Sequence, residues 1–191
     1  MESSGLHDKK TVLNLLREHV GTDEKERSDI AFIASFIETH NLVFGKANPN
    51  GHITGSALVI DDHQRILLTY HKKLQRWLQL GGHSDDNEYD PATTAYREAR
   101  EESGLIDLKF DPEIGPIPID IDVHIIPARK AVAAHYHLDF RYVLRTLEPD
   151  RIELTAESDA LEWVPLSSTH NLGFDPALVR AVDKVRRLIE S

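Results

Sequence analysis

Apolar residues recur at helical spacing in the first forty positions of the chain. Two stretches, residues 8–20 and about 24–40, each carry apolar side chains three or four positions apart. This period gathers the apolar side chains on one face of a helix. The positions concerned are Val12, Leu13, Leu15, Leu16, Val20, Ile30, Ile33, Phe36 and Ile37. The sequence therefore predicts two amphipathic helices, the first of which ends at Gly21.

Downstream of these helices, the pattern changes to short extended segments followed by one more helix. Residues 53–60 and 65–70 are mainly apolar and are separated by a polar turn, which predicts a hairpin. Further strands are predicted at about 117–125, 135–146 and 160–165. Asp175 followed by Pro176 is a capping residue before a proline at the first helical position. A final helix is therefore predicted from this point to about Glu190.

A turn signal divides the chain into two parts. Residues 48–51 read Asn-Pro-Asn-Gly, a sequence typical of a turn, and they separate the helical pattern from the strands. We therefore predict an N-terminal helical extension, residues 1–48, and a main domain, residues 49–191, with a sheet layered between helices. We expect the extension to pack on the sheet. A lid, a dimerisation element and a specificity module are the alternatives.

Composition excludes several classes of protein. The 191 residues include no cysteine, which rules out disulfides, zinc–thiolate sites and thiol nucleophiles. The formal net charge is −10, from 22 Lys and Arg against 32 Asp and Glu, and this disfavours polymeric nucleic acid as a partner. No apolar run approaches the roughly 20 residues of a membrane-crossing helix, and the N-terminus lacks a signal-peptide pattern. We therefore expect a cytoplasmic protein with one core and no membrane partner.

Three glutamates are concentrated on one predicted helix. Residues 97–105 read Arg-Glu-Ala-Arg-Glu-Glu-Ser-Gly-Leu and follow the glycine pair at 81–82. Glu98, Glu101 and Glu102 stand three and four positions apart, so they share one arc of the helix surface. Carboxylates gathered in this way repel one another unless a cation lies between them, and hard divalent cations prefer oxygen ligands. The spacing therefore indicates a site for a divalent cation.

This segment resembles the signature of the Nudix hydrolases: Gly, five residues, Glu, seven residues, then Arg-Glu-apolar-any-Glu-Glu-any-Gly-apolar. The matching residues are Gly82, Glu88, Arg97, Glu98, Ala99, Glu101, Glu102, Gly104 and Leu105. Eight residues separate Glu88 from Arg97 where the family pattern has seven, so we expect a larger loop before the helix. The resemblance implies an α/β fold, the Nudix α/β/α sandwich with a mixed β-sheet, to which the N-terminal helices are added.

The resemblance also implies metal-dependent chemistry. The implied ligands of Mg²⁺ or Mn²⁺ are Gly82, Glu98, Glu101 and Glu102. Arg97 lies four residues before Glu101 and would orient that carboxylate. Hydrolysis of a phosphoanhydride needs a metal to neutralise phosphate oxygens and to position a water, which a carboxylate can deprotonate. We call the segment that matches the signature, residues 82–105, the box. Nudix enzymes take this base from the box or from a later loop, so the candidates are Glu98, Glu101 and, downstream, Glu157.

Histidines form a second candidate group. His135 and His137 alternate on one predicted strand, so they project from the same face, where they could meet His83. We interpret these three histidines, with Arg129 in the preceding turn, as candidate contacts of the substrate phosphates. A histidine metal site is another interpretation, and polar packing is favoured over it.

The leading interpretation is an enzyme that cleaves the diphosphate linkage of a nucleoside diphosphate joined to another group. The partner would be a small phosphorylated molecule derived from a nucleotide. A catalytically inactive nucleotide sensor with the same fold is the alternative, but the retained box glutamates favour an enzyme. An activity like that of isopentenyl diphosphate isomerase is disfavoured, because that enzyme needs a cysteine where this chain has Gly81. The N-terminal helices offer a surface for a homodimer.

Overall fold

The structure, a computed structural model, describes residues 4–71, 74–85, 87–129, 132–154 and 160–190. The helices are α1 (Ser4–Glu18), α2 (Glu24–Thr39), α3 (Pro91–Ser103) and α4 (Pro176–Glu190), with 3₁₀ turns at Pro149–Arg151 and Leu166–Asn171. The strands are β1 (Gly51–Ile60), β2 (Arg65–His71), β3 (Arg76–Leu78), β4 (Leu80–His83), β5 (Lys109–Phe110), β6 (Asp120–Ile126), β7 (His135–Arg145) and β8 (Leu161–Pro165). The predicted helices, the hairpin and the three later strands are all present.

Strand β1 organises the mixed sheet, which has eight strands within the described residues. It pairs in parallel with β7 along its whole length, from Gly51 opposite Tyr136 to Ile60 opposite Arg145. On its other side, β1 pairs antiparallel first with β4 and then with β2. Strand β7 divides in the same way between β6 and β5, while β3 and β8 extend the sheet from β2. Because β1 and β7 each change partner along their length, the sheet curls.

Helices α3 and α4 cover opposite faces of β1. Successive side chains of a strand point to opposite sides of the sheet. Ala57 packs in the cluster that contains Ala99 of α3, whereas Leu58 packs with Leu178 and Val182 of α4. The sheet is therefore layered between helices. This arrangement, with the two N-terminal helices, confirms the predicted α/β fold class.

The glycine pair lies within a strand. Gly81 and Gly82 lie in strand β4, where Gly82 is opposite Gly55 of β1. A Cβ atom on Gly55 would lie 2.3 Å from the carbonyl oxygen of Pro91 and 2.6 Å from the backbone nitrogen of Ala95. Glycine in a strand often marks such a close approach of another backbone. The glycines therefore let α3 lie directly on the sheet.

The ends of α3 are fixed by local signals. The side chain of Asp90 accepts hydrogen bonds from the backbone N–H groups of Ala92 (3.2 Å) and Thr93 (3.3 Å), and Pro91 occupies the first helical position. Gly104 ends the helix with a φ of +74°, in the left-handed region that favours glycine. The helix is thereby held in one register against β1 and β4.

The N-terminal helices pack against the edge of the sheet at β6. Strand β6 pairs with β7 on one side, and on the other its N–H groups at Ile121 and Val123 donate to carboxylates of α2. The acceptors are Glu26 Oε1 and Asp29 Oδ2, each at 3.1 Å. A shared apolar cluster contains Val12, Leu16, Ile33, Phe36, Ile37, Ile53, Leu138 and Phe140. The helices thus pack on the sheet, as expected, and satisfy donors of an edge strand.

Buried charges join α2, α4 and the sheet. Lys184 Nζ donates to Glu26 Oε1 at 2.5 Å, and Arg180 donates to both carboxylate oxygens of Asp120, at 2.7 and 3.0 Å. Arg141 of β7 reaches the same Asp120 carboxylate at 3.1 Å. Glu26 and Asp120 are fully buried. Because each buried carboxylate has cationic partners, the cost of its burial is offset.

Candidate active site

The box glutamates of α3 lie against the glycine pair of β4. A Cβ atom on Gly82 would lie 2.4 Å from Glu98 Oε1, so this carboxylate rests on the Gly82 backbone. Glu102 Oε2 accepts a hydrogen bond of 2.9 Å from the Gly81 N–H. Gly81 has a φ of +150°, a conformation that side chains rarely adopt. Strand and helix thus bring two carboxylates to one short stretch of backbone.

Arg97 connects the other groups of the box. It donates to Glu88 Oε1 (2.7 Å), Glu101 Oε2 (2.8 Å) and the carbonyl oxygen of His83 (2.7 Å), and it lies 3.1 Å from Glu98 Oε1. The hydrogen bonds to Glu88 and then to Glu101 raise the pKa of Arg97 above its already high value, against the opposing effect of burial. A planar guanidinium can make several such bonds in fixed directions. Arg97 therefore sets the relative positions of three carboxylates and the end of β4.

Glu88 takes part in the box despite the longer spacer. Besides Arg97, it accepts hydrogen bonds from the Thr94 hydroxyl (3.1 Å) and the Asp85 N–H (3.1 Å). Burial alone would raise the pKa of Glu88, but the hydrogen bonds from Arg97, Asp85 and Thr94 outweigh it and lower the pKa. The spacer forms the turn before α3 and the first part of that helix. Glu88 thus acts as an anionic anchor for Arg97.

A cleft of about 470 Å³ opens beside the box. Its lining residues are Lys46, His83, Ser84, Asp85, Asn87 and Glu98. Glu98 is therefore the box carboxylate that borders the cleft, and Lys46, from the connection between α2 and β1, adds a positive charge to its lining. Such a volume lies within the range of about 300–1,000 Å³ that is usual for small-molecule sites.

Histidines from four strands gather on the other face of the sheet. In the strand register, His52 lies directly opposite His137, and His137 lies opposite His124, so their side chains share a face. The ring centroids of His52 and His83 are 4.8 Å apart, those of His52 and His137 are 5.0 Å apart, and those of His135 and His137 are 5.4 Å apart. His83 Nε2 and His137 Nε2 are 3.1 Å apart. We call His52, His83 and His137 the histidine cluster.

Burial keeps the histidine cluster neutral. It lowers the pKa of His52 and His83 to about 4, with a smaller contribution from nearby positive charges such as Lys46. Burial, followed by the neighbouring histidines, lowers the pKa of His137 to about 2. At neutral pH these rings are hydrogen-bonding groups or metal ligands rather than cations.

The structure brings some of the remaining candidates close to the cluster and leaves others away from it. His135 lies beside it, and its Nδ1 is 2.9 Å from the carbonyl oxygen of Ala133. Arg129 is exposed, and its backbone pairs with that of Val132 in the connection between β6 and β7. Glu157, the candidate base in a later loop, lies outside the described residues.

His52 and Lys46 were not predicted from the sequence. His52 follows the predicted turn at residues 48–51 and is the second residue of β1, but nothing local marks it as part of a site. Only the parallel pairing of β1 with β7 places it beside His137. A lone lysine before a strand gives no signal at all. Both positions depend on contacts between distant parts of the chain.

Comparisons with known proteins give one consistent result. The family model of the NUDIX domain matches residues 52–184. A hydrolase of the NUDIX family from Clostridium perfringens is 28% identical, with a TM-score of 0.51, and the match covers 73% of this chain and 99% of that one. No curated protein is similar enough to count as a match.

Two further solved structures share the fold at lower identity. The E. coli dihydroneopterin triphosphate pyrophosphohydrolase is 15% identical with a TM-score of 0.54, over 75% of this chain and 97% of that one. A C. elegans Ap4A hydrolase in a binary complex is also 15% identical with a TM-score of 0.54, over 72% and 97% of the two chains.

Among the described residues, no helix combines the length and the apolar character needed to cross a bilayer. The family match covers β1 to α4, including every described residue of the box and of the histidine cluster. The chain belongs to the Nudix family and is a Nudix-type pyrophosphohydrolase.

Proposed function

We propose that the chain is a metal-dependent hydrolase that cleaves the diphosphate linkage of a nucleoside diphosphate joined to another group. The products would be a nucleoside monophosphate and a second phosphorylated compound. The proposal rests mainly on the positions of the three box glutamates beside a cleft of ligand size. Glu98 and Glu101 lie against Arg97, while Glu98 and Glu102 also contact the glycine pair. The Ap4A hydrolase and the dihydroneopterin triphosphate pyrophosphohydrolase of the same fold have names that describe hydrolysis of phosphorylated compounds.

The donor set of the box fits Mg²⁺ or Mn²⁺. The proposed ligands are the Gly82 carbonyl oxygen and the carboxylates of Glu98, Glu101 and Glu102, which are all oxygen donors of the kind that hard cations prefer. The absence of a side chain at Gly82 lets Glu98 approach the backbone closely, as a shared ligand set requires. When bound, the metal supplies charge neutralisation on the phosphate oxygens and activates a water.

Carboxylates of the chain would accept the proton of the attacking water. Glu98 borders the cleft and has a side chain only 13% exposed, whereas Glu101 is 47% exposed, so both can reach water but in different surroundings. We propose these two as the candidate bases within the box, with Glu157 as the candidate outside it. Arg97 would hold Glu98 and Glu101 apart and in place during the reaction.

The cleft also offers contacts for the substrate phosphates. Lys46 supplies a positive charge, and the neutral ring of His83 can donate or accept a hydrogen bond. His137 lies next to His83, with 3.1 Å between their Nε2 atoms, and we propose it as a further contact. We propose His135 and Arg129 as further contacts, because the ring centroid of His135 lies 5.4 Å from that of His137 and Arg129 is an exposed cation in the connection between β6 and β7.

A substrate panel tests the proposal. The wild-type protein is assayed with Mg²⁺ and with Mn²⁺ against nucleoside triphosphates, ADP-ribose, sugar nucleotides, NADH and dinucleoside polyphosphates, and the products are identified by mass. Glu101→Gln and Glu102→Gln are assayed beside it. Glu113→Gln, an exposed glutamate in the loop after β5, is the matched control.

We expect one substrate class to be hydrolysed to a nucleoside monophosphate by the wild type and by Glu113→Gln, with a large loss in both box variants. Binding of a nucleotide without turnover under any metal condition would overturn the proposal in favour of the sensor interpretation.

A further inference from the structure

We propose that the histidine cluster is a second metal site, which binds one transition-metal ion of the kind that prefers imidazole ligands, such as Zn²⁺. The ligands would be one ring nitrogen each of His52, His83 and His137. This site is distinct in chemistry from the box, since its donors are nitrogens and those of the box are oxygens.

The distances within the cluster suit one ion. One ring nitrogen from each of the three histidines lies within 4.8 Å of the other two. His83 Nε2 and His137 Nε2 are 3.1 Å apart. Two nitrogens bound tetrahedrally to zinc at about 2.0–2.1 Å are separated by about 3.3 Å. Small rotations of the rings would therefore bring all three nitrogens to one ion.

The buried ring of His52 lacks hydrogen-bond partners in the part of the chain that the structure describes. Its side chain is 3% exposed, and within the described residues no hydrogen bond of normal geometry reaches Nδ1 or Nε2. The backbone of Asn48 is close enough to oppose slightly the fall in the pKa of His52, but it does not complete a hydrogen bond. Burying a polar ring without partners is unfavourable, and polar packing alone would be expected to pair it. A metal ion would provide the missing partner.

Paired strands hold the three histidines of the cluster in place. His52 and His137 are opposite each other in adjacent parallel strands, and His83 is opposite Thr54, two residues along from His52. Backbone pairing therefore fixes the three Cα positions before any ion binds, which favours a site of defined geometry. His135, with a ring centroid 5.2 Å from that of His52, lies beside the three proposed ligands.

The cluster also borders the proposed reaction site. His83 lines the cleft together with Glu98. Catalytic zinc sites usually have three protein ligands and one open coordination position, whereas structural zinc sites have four protein ligands. An ion in the cluster would thus be placed to contact a phosphate oxygen or a water.

Metal titration of the whole chain tests this inference. The protein is produced without a histidine tag, stripped with a chelator, and titrated with Zn²⁺ by calorimetry in a large excess of Mg²⁺. Co²⁺ is titrated in parallel, and its visible absorption reports nitrogen ligation. The variants are His52→Gln and His137→Gln, and the matched control is His63→Gln, an exposed histidine in the turn between β1 and β2. Circular dichroism confirms that each variant is folded.

We expect one equivalent of Zn²⁺ to bind to the wild type and to His63→Gln despite the excess of Mg²⁺. Loss of a ligand should weaken binding by at least about 100-fold in His52→Gln and His137→Gln, more than the roughly 10–100-fold that loss of a supporting partner costs. Absence of stoichiometric Zn²⁺ binding by the wild type would overturn the inference without recourse to any variant, and so would unchanged binding by folded His52→Gln and His137→Gln. Glu102→Gln should keep the Zn²⁺ site whatever happens to hydrolysis, which separates this inference from the proposed function.

Discussion

The size and shape of single residues in the box determine how closely neighbouring groups can approach them. Gly82 has no side chain, and Glu98 Oε1 lies 2.4 Å from the position that a Cβ atom would take. Arg97 makes contacts in several directions at once, which no other side chain in the box can reproduce. The function of each residue therefore depends on its size and shape as much as on its charge.

Gly82→Ala should impair hydrolysis more than stability. The new methyl group would meet the far end of a flexible glutamate, so Glu98 can move aside at little cost to the fold, but it then leaves its position at the cleft. A misplacement of about 1 Å in a catalytic site can cost about 100-fold in rate, and we expect a loss of that order in kcat/KM.

The control for this substitution is Gly21→Ala. Gly21 lies between α1 and α2, and like Gly82 it does not have a positive φ. It should leave kcat/KM unchanged. A Gly82→Ala protein as active as Gly21→Ala would show that the close contact with Glu98 has no role in the reaction.

Arg97→Lys should also reduce activity while keeping the positive charge. An ammonium group cannot donate to Glu88, Glu101 and the His83 carbonyl together in the fixed geometry of a guanidinium. Loss of such a supporting group usually costs about 10–100-fold in metal affinity or activity. Titration of the hydrolysis rate with Mg²⁺ separates the two effects, and Arg100→Lys, an exposed arginine on the same helix, is the control. Equal rates in the two variants would contradict the positioning role of Arg97.

At the scale of elements, helix α2 is held to the sheet by buried carboxylates. Glu26 accepts hydrogen bonds from the Ile121 N–H, the Lys184 ammonium and the Thr22 N–H, and it lies 2.7 Å from His19 Nε2. These partners belong to the edge strand β6, to α4 and to the segment before α2. One side chain thus links three parts of the fold.

Glu26→Gln should be strongly destabilising. It removes one of the two carboxylates that pair with the buried Lys184 ammonium, the other being Asp120 at 2.8 Å, and removal of one partner of a buried ion pair typically costs about 3–5 kcal/mol. The free energy of unfolding is measured by urea denaturation. Glu24→Gln, an exposed residue in the same helical turn, should change it by less than about 0.5 kcal/mol. A small effect of Glu26→Gln would mean that the network does not hold α2 in place.

The same network predicts a dependence of stability on acid. Burial alone would raise the pKa of Glu26, but hydrogen bonds from His19, Lys184 and Thr22 outweigh it and hold the pKa far below the ordinary value of 4.5. The folded state therefore binds fewer protons than the unfolded state below pH 4.5, so the stabilisation by Glu26 is complete above this pH and is lost as the pH falls below it.

Comparison of wild type and Glu26→Gln across pH checks this expectation. The difference in their unfolding free energies should be constant above about pH 5 and should shrink as the pH falls towards 3, because the carboxylate is then titrated in the unfolded wild type. A difference that is constant down to pH 3 would contradict the lowered pKa of Glu26.

Local pattern was sufficient to predict most elements and the box, but not the cluster. Helical spacing of apolar residues and the Asp175–Pro176 cap are local signals, and they predicted the bounds of α2 and α4 closely. Helix α1 begins four residues earlier than predicted, at Ser4, and ends at Glu18 rather than at Gly21. The spacing of the box glutamates is also local. Strand β4 was missed because glycine has low strand propensity, and only its pairing with β1 makes it extended. The place of His52 depends on the register of β1 with β7, which no local pattern contains.

At the scale of the whole molecule, the curled sheet gathers residues that are distant in sequence. Lys46, His83 and Glu98 meet at the cleft, and His137 reaches His83 from β7. The carboxylates of the box come from α3 and the nitrogen donors of the cluster from β1, β4 and β7, and His83 borders the same cleft as Glu98. We propose that the box makes this arrangement a metal-dependent pyrophosphohydrolase.

The most direct test of that claim is the rate of hydrolysis of the best substrate as a function of Mg²⁺ concentration, measured for the wild type and for Glu98→Gln after removal of all metal. We expect no turnover without added metal, saturable activation of the wild type, and a much lower maximal rate or a much higher Mg²⁺ requirement in Glu98→Gln. Turnover by the wild type in the presence of a chelator, or identical Mg²⁺ curves for the two proteins, would contradict that claim.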